Sequence, residues 1–278
     1  MTQRFFLTPF FLALLICPIA PAQIASNQTV DGLIEKNIDA HGGARRLKAI
    51  KSTRATGKIE MQGISAPVTI ITKRPNLARV EINLRSGPYI EAYDGQTAWR
   101  VNSLTGSHAP EPMSGEDARD ILETADMEGP LVDYKRKGHR VELLGRENVE
   151  GVDAYKMKLT LKSGDVKHIY LNSRTYLEVK QITRRLDHGV EIEVEVYYAD
   201  YKPVDGILIA HSYEARVEGQ TVQLTTIEKV EINSHINDDI FKMPVRAASG
   251  LHQLFTDSYA LRAAGSSPRA TERSPVRR

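Results

Sequence analysis

Residues 190–198 read VEIEVEVYY, and this stretch decides the fold. Valine or isoleucine occupies every second position, and glutamate occupies the positions between them up to residue 195. Because successive side chains of a β-strand point to opposite faces, a period of two indicates a strand with one apolar and one charged face. The stretch therefore predicts a sheet with one face covered and the other in water, which is typical of antiparallel sheets.

The same alternation runs through most of the chain between about residue 52 and residue 244. It is clear in residues 68–72, 80–84, 155–162, 207–217 and from 222 onward. Short turn sequences separate the runs, namely Arg74-Pro75-Asn76, Ser86-Gly87-Pro88, Asp94-Gly95, Ser163-Gly164-Asp165, Asp187-His188-Gly189, Asp205-Gly206 and Glu218-Gly219. Roughly ten strands with hairpin connections predict one large antiparallel sheet that curls or partly closes into a barrel.

Three segments have the helical period of 3.6 instead. The first spans Thr29 to His41, with Thr29 as N-cap and Gly42-Gly43 as its end, and a second short helix carries Leu47 and Ile50. The third spans Ser114 to Met127, with Ser114 as N-cap and an apolar face formed by Ala118, Ile121, Leu122 and Ala125. A helix inserted between strands predicts a cover for the concave side of the curled sheet.

The N-terminal end differs from this body. Residues 1–22 combine Arg4, an apolar run and the small residues Ala20-Pro21-Ala22, which predicts a cleaved secretory signal peptide. We expect residues 23–244 to form one domain in the periplasm. Lipid anchoring at Cys17, the only cysteine, is the weaker alternative because the bulky Ile16 precedes it.

The basic excess of the chain lies at its C-terminal end. The whole chain has a formal net charge of +2, and residues 245–278 contain six arginines against Asp257 and Glu272. This end predicts a short amphipathic helix followed by a basic disordered tail. Because the excess does not lie on the folded body, we expect no nucleic acid as a partner.

The residues carry no motif for catalysis or metal binding. No two of the eight histidines are three or four positions apart, and HExxH, GxSxG and the phosphate-binding glycine motifs are absent. Glu191, Glu193 and Glu195 share one face, which we interpret as a solvated surface. We therefore predict no catalytic residue, no metal site and no cofactor, and a protein that is not an enzyme.

The interior of the curled sheet is poorly supplied with large aromatic side chains. Of the six phenylalanines, four lie in the first eleven residues. A curled sheet with one apolar face and few rings to fill it predicts room for an apolar ligand. The alternative is that the helices fill the concave side.

Three short motifs resemble the LolA/LolB-like outer-membrane lipoprotein-sorting superfamily. They are Lys73-Arg74-Pro75 followed by Arg79 and Val80, Tyr93-Asp94-Gly95 followed by Trp99, and Met243-Pro244. Two further segments look like an uncharacterised bacterial branch of it, Asp39-Ala40-His41-Gly42-Gly43 and Gly129-Pro130-Leu131-Val132-Asp133-Tyr134. The resemblance covers residues 29–244, whereas the basic tail and a longer segment at 103–139 depart from the pattern.

This resemblance implies an open half-barrel of antiparallel strands, with helices across its concave face and an apolar cavity for acyl chains. Combined with the strand alternation, it gives a set of residues predicted to bind ligand in the cavity: Val68, Ile70, Val80, Ile82, Trp99, Ile121 and Leu122. Arg79 matches the arginine after the Lys/Arg-Pro turn, and we expect it at the rim or outside because it alternates with Val80.

The leading hypothesis is a periplasmic carrier or binding protein for an acylated ligand, either a lipoprotein or a lipid. We expect it to act as a monomer that meets an inner- or outer-membrane partner transiently. The alternative is a non-enzymatic interaction protein of the cell envelope with a filled core.

Overall fold

The computed structural model describes residues 28–187 and 189–244, apart from the side chains of residues 185–187. Thirteen strands in this range form one sheet. The strands are β1 (Ser52–Met61), β2 (Ile64–Lys73), β3 (Leu77–Leu84), β4 (Gly87–Tyr93), β5 (Ala98–Asn102), β6 (Glu111–Met113), β7 (Arg140–Val149), β8 (Val152–Thr160), β9 (Val166–Asn172), β10 (Glu178–Asp187), β11 (Val190–Val204), β12 (Ile207–Val217) and β13 (Gln220–Ile232). The predicted leader, Cys17 and the C-terminal tail lie outside the described residues.

The order of the strands across the sheet is β6-β5-β4-β3-β2-β1-β13-β12-β11-β10-β9-β8-β7. All neighbouring strands are antiparallel. The first and last strands pair in the middle, and β6 and β7 form the edges, which do not pair with each other within the described range. The predicted fold, a mainly β chain with an open, curled half-barrel, is therefore confirmed.

The first helix, α1 (Val30–Ala40), lies against the sheet near β8 and β9. Its N-cap is Thr29 as predicted, because the Thr29 hydroxyl accepts a hydrogen bond from the backbone N–H of Gly32 at 3.1 Å. Leu33 and Ile34 are buried in a cluster with Met157 and Leu171. These contacts hold α1 across the concave face of the sheet.

Gly42 fixes where α1 ends. Its φ of +111° is a conformation that favours glycine, and a Cβ at this position would lie 2.4 Å from the carbonyl oxygen of Gly206. The backbone N–H of Leu208 also donates to the carbonyl of His41. The end of α1 therefore docks on the β11–β12 turn, and the short helix α2 (Ala44–Ala49) follows.

The helix predicted from Ser114 to Met127 is shorter in the structure, where α3 spans Arg119–Thr124. The chain turns at Gly115, whose φ is +57°, after Met113 has paired with Ala98 as a strand. The N-cap position is therefore Ala118 and not Ser114. None of the helices in the described range is long and apolar enough to cross a membrane.

Only part of the predicted apolar face of α3 is buried. Ile121 is 1% exposed and packs on Ala78 and Ala98 of the concave face, whereas Leu122 is 44% exposed. Burial follows the spacing of Ala118, Ile121 and Ala125, which lie three and four residues apart, so Leu122 falls outside that stripe.

The convex face is covered at one place by residues 233–244, which we call the C-terminal strap. Ile236 and Phe241 of the strap form a buried cluster with Ile71 and Leu77. Lys73 anchors the strap through a 2.6 Å hydrogen bond to the carbonyl oxygen of Ile236. The strap therefore closes a second, smaller core on the side of the sheet away from the helices.

Candidate ligand cavity

A cavity of about 530 Å³ lies between the concave face and the helices. Pockets of this size hold molecules as large as a typical drug or cofactor. Ile70 of β2 and Ile169 of β9 both line it, although these strands are six positions apart in the sheet. At about 4.8 Å per strand, a flat sheet would separate them by roughly 29 Å, so the curl of the sheet creates the cavity.

The cavity has an apolar floor and a largely apolar roof. The floor comes from the sheet and includes Ala55, Ile70, Ile209, Ala210, Ile227 and Val230. The roof comes from α1, α2 and residues 125–134, which we call the roof loop, and includes Ile38, Leu47, Met127, Pro130 and Leu131. The roof contains no β-strand, so the cavity can open without breaking the sheet.

Three ion pairs tie the roof loop to its surroundings. They are Arg74–Glu128 at 2.7 Å, Lys137–Asp126 at 2.6 Å and Lys48–Asp133 at 2.8 Å. Arg74 lies in the turn after β2, and its side chain also donates to the carbonyls of Leu47 and Ile50. It therefore connects the sheet, α2 and the roof loop at one point.

One side of the cavity wall is polar. Glu178 of β10 lies at its centre, and Oε1 accepts a 2.9 Å hydrogen bond from the side-chain amide of Asn37. The Tyr201 hydroxyl lies 3.0 Å from the backbone carbonyl of Glu178 and 3.3 Å from Oε2. His41 and Glu178, which form an ion pair at 2.7 Å, have side chains that are each 21% exposed.

Both ring nitrogens of His41 face acceptors. Nδ1 lies 2.8 Å from the carbonyl oxygen of Leu208, and Nε2 lies 2.7 Å from Oε2 of Glu178. A neutral imidazole has one N–H and the imidazolium has two, so hydrogen bonds to both acceptors require the charged ring. Against the effect of burial, the hydrogen bond and charge of Glu178 raise the pKa of His41. In turn, and again against burial, His41 lowers the pKa of Glu178.

Two phenols beside this pair retain donors for a ligand. The rings of Tyr198 and Tyr213 meet edge to face at 5.7 Å, and both residues line the cavity. Burial and the nearby charge of Glu178 raise the pKa of Tyr213 to about 12 and that of Tyr198 further. Both hydroxyls are therefore protonated at neutral pH, and neither donates to another described group.

The residues predicted to line the cavity are not all brought together. Ile70 lines it, while Val68 and Ile82 lie further along the same concave face, in a cluster with Ile59 and Ala66. Val80 packs at the edge of this cluster and of the one under α3. Ile121 is buried beneath α3 and Leu122 is exposed, so neither lines the cavity.

Trp99 lies on the opposite side of the sheet from the cavity, so the predicted position is wrong. Its indole Nε1 donates a 2.7 Å hydrogen bond to the carbonyl oxygen of Phe241 in the C-terminal strap. The preceding residue, Ala98, points to the opposite face, as strand alternation requires, and packs under α3 with Ile121. Arg79 lies over the Trp99 ring at 5.7 Å and pairs with Glu81, on the convex face.

Sequence patterns did not identify the polar wall. His41 belongs to the Asp39–Gly43 motif, but its partner Glu178 is 137 residues away and interrupts no local pattern. The alternation places Tyr198 at the end of a strand and does not mark it as a cavity residue. Contacts between residues so far apart in the chain depend on the curl of the sheet. Local spacing in the sequence therefore does not predict them.

These features define a class: an open half-barrel that encloses a ligand-sized cavity with one polar wall. In the described range, no three His, Cys, Asp or Glu side chains are placed to hold a metal ion. No family model matches this sequence, and no curated protein matches it.

Solved structures identify the fold more closely. A DUF1329 family protein from Desulfovibrio piger is 12% identical, with a TM-score of 0.55 over 77% of this chain and 97% of its own. A putative outer membrane lipoprotein-sorting protein domain from Vibrio parahaemolyticus is 13% identical, with a TM-score of 0.52 over 75% and 97%. A LolA superfamily protein from Nitrosomonas europaea is 12% identical, with a TM-score of 0.51 over 75% and 96%. The resemblance to the LolA-like superfamily is thus confirmed at the level of the fold.

Proposed function

We propose that this protein is a periplasmic carrier or binding protein that holds an acylated ligand, a lipid or the acyl chains of a lipoprotein, in the cavity. The observation that carries the proposal is the apolar cavity of about 530 Å³ on the concave face of a LolA-like sheet. The role is non-enzymatic and needs no cofactor. A monomer collects the ligand from one membrane partner and releases it to another.

Burial of the acyl chain supplies the binding free energy. Each methylene group removed from water contributes about 0.8 kcal/mol, so a chain of ten methylenes contributes about 8 kcal/mol before the costs of ordering are subtracted. The floor and roof offer this chain side chains such as Ile70, Ile227 and Met127. The resulting complex is tight enough for transport and still reversible.

The alternative hypothesis, an interaction protein with a filled core, is less well supported. Side chains from α1 and α3 do fill parts of the concave side around Leu33 and Ile121. The space between these two filled regions stays open under the roof loop. A ligand explains an open apolar volume better than a filled core does, because empty apolar space loses packing contacts.

The first experiment identifies a bound molecule. The full chain is expressed in a Gram-negative host and purified without detergent, and its organic extract is analysed by mass spectrometry beside that of an unrelated periplasmic protein. We expect close to one lipid or acylated peptide per chain. An extract that matches the control, together with no binding of a pyrene-labelled monoacylglycerol, would contradict the proposal.

A cavity-filling variant provides the structural test. Ala55 points into the cavity from β1, so Ala55→Phe places a ring in the ligand's volume, and we expect binding of the pyrene-labelled monoacylglycerol to fall at least about tenfold. The matched control is Thr69→Phe, because Thr69 lies beside Ile70 on β2 and faces the convex side. Equal binding by both variants would show that the ligand lies elsewhere.

A further inference from the structure

The charges of the cavity wall are already paired. Four carboxylates line the cavity, those of Glu123, Asp126, Glu128 and Glu178. Their cationic partners are, in the same order, Lys167, Lys137, Arg74 and His41. The two lysines and the arginine do not themselves line the cavity. Among the described residues that line it, His41 is therefore the one cationic side chain.

His41 has no donor left for a ligand. Its two N–H groups are directed at the Leu208 carbonyl and at Glu178. An anionic group placed at the polar wall would therefore lose its hydration, meet no free cation and lie close to the Glu178 carboxylate. Burial of an unpaired charge is far more costly than burial of a hydrogen-bonded neutral group.

The hydrogen-bonding capacity that remains is neutral. Tyr198 and Tyr213 present protonated hydroxyls beside the apolar floor, and no described protein group accepts from them. A phenol hydroxyl is both a donor and an acceptor. It can donate to an ester or amide carbonyl, and it can accept from an alcohol.

We propose that the cavity selects amphiphiles whose polar end is uncharged, such as acyl esters of glycerol, and rejects free fatty acids and acyl phosphates. Tyr198 and Tyr213 are the residues that recognise the uncharged polar end. This inference rests on the proposed function and adds the chemical class of the ligand. An acyl chain is bound by the floor and roof, and the polar wall decides which head group accompanies it.

The test compares two ligands that share one acyl chain. Monopalmitoylglycerol and palmitate compete against the pyrene-labelled monoacylglycerol on the full chain at pH 7.5, below the concentrations at which either aggregates. We expect the glycerol ester to bind at least about tenfold more tightly than palmitate. A tenfold difference in affinity is what one hydrogen bond typically contributes. If palmitate binds equally well or better, the inference is overturned while the proposed function stands. If none of the three binds, the proposed function itself fails.

Variants then test the two phenols. In the double variant Tyr198→Phe and Tyr213→Phe, we expect the preference for the ester to shrink to within about threefold, because the donors are gone and the apolar rings remain. Each single variant is also measured, which keeps the test open if the double variant does not fold. The matched control is Tyr197→Phe, since the Tyr197 hydroxyl donates to Glu195 and not into the cavity. An unchanged preference in all of the folded Tyr198 and Tyr213 variants would overturn the assignment.

Discussion

Trp99 contributes to stability through the C-terminal strap. It is 1% exposed, contacts Arg79 and donates to the Phe241 carbonyl. We predict that Trp99→Ala lowers the free energy of unfolding by about 3–5 kcal/mol, the cost of removing a large buried ring. Urea unfolding followed by far-UV circular dichroism measures this change, because the variant lacks the only tryptophan.

The control for Trp99 is Leu122→Ala. Leu122 is 44% exposed, so we expect a loss below about 1 kcal/mol. The folded fraction of Trp99→Ala retains its affinity for the pyrene-labelled probe, since the ring lies on the face away from the cavity. A variant of normal stability that no longer binds the probe would place Trp99 in the ligand site after all.

The His41–Glu178 pair predicts a stability that depends on pH. The pKa of His41 is raised from 6.5, so its contribution is complete below pH 6.5 and is lost as the pH rises through the higher folded value. The pKa of Glu178 is lowered from 4.5, so its contribution is complete above pH 4.5 and is lost as the pH falls through the lower folded value. Both contributions are present together between these two pH values.

Comparison with His41→Gln isolates this dependence. We expect the difference in unfolding free energy between wild type and variant to be largest between pH 4.5 and 6.5 and to shrink on either side. Chemical unfolding at a series of pH values from 4 to 9 provides the measurement. A difference that stays constant over this range would mean that the two groups do not titrate as a pair.

We predict that a ligand enters and leaves the cavity past the roof loop. We predict that Arg74→Met, which removes the contacts to Glu128, Leu47 and Ile50, speeds release of the bound probe about fivefold. This factor corresponds to about 1 kcal/mol, an upper value for a pair that is partly exposed to solvent. Stopped-flow dilution of the fluorescent complex measures the release rate.

Arg184→Met is the matched control for the roof loop. Arg184 forms an exposed ion pair with Glu193 on the strands β10 and β11, away from the roof loop. We expect its release rate to equal that of wild type. Equal acceleration in both variants would indicate a general loosening of the sheet, and no acceleration in Arg74→Met would mean that the ligand leaves by another route.

The elements of this fold were largely predictable from the sequence, and their positions relative to the cavity were not. Thr29 as a cap and the strand β11 are local signals that the structure retains, but burial does not alternate along β11 as predicted. The predicted helix from Ser114 was too long because Gly115 and the pairing of Met113 interrupt it. Alternation divides a strand into two faces, but it does not say which face is concave, and Trp99 was therefore assigned to the wrong one.

At the scale of the molecule, β13 joins the two halves of the sheet. It lies between β1 and β12, with β1 to β6 on one side and β7 to β12 on the other. We predict that a chain truncated after Gly219 does not form the cooperative sheet. Without β13, the strands β1 and β12 each lose the partner that joins the two halves. We expect that this truncated chain lacks the single cooperative transition that the full chain shows in urea.

Two longer chains are the controls for this truncation. A chain that ends after Pro244 retains every described strand and the strap, and we expect its unfolding free energy to match that of the full chain. A chain that ends after Ile232 loses the strap but keeps β13, so it folds with reduced stability. Cooperative unfolding by the chain truncated after Gly219 would show that β13 is not needed to join the two halves.

The central place of β13 also affects how the molecule is made. β1 is complete at Met61, but its partner begins only at Gln220. At about 5–20 residues per second, a ribosome needs roughly 8–30 s to synthesise the chain between them. During this interval the nascent chain exposes the edge of β1, and neighbouring chains on the same messenger RNA expose the same edge. Until β13 is available, a strand of a neighbouring chain can pair with this edge in its place.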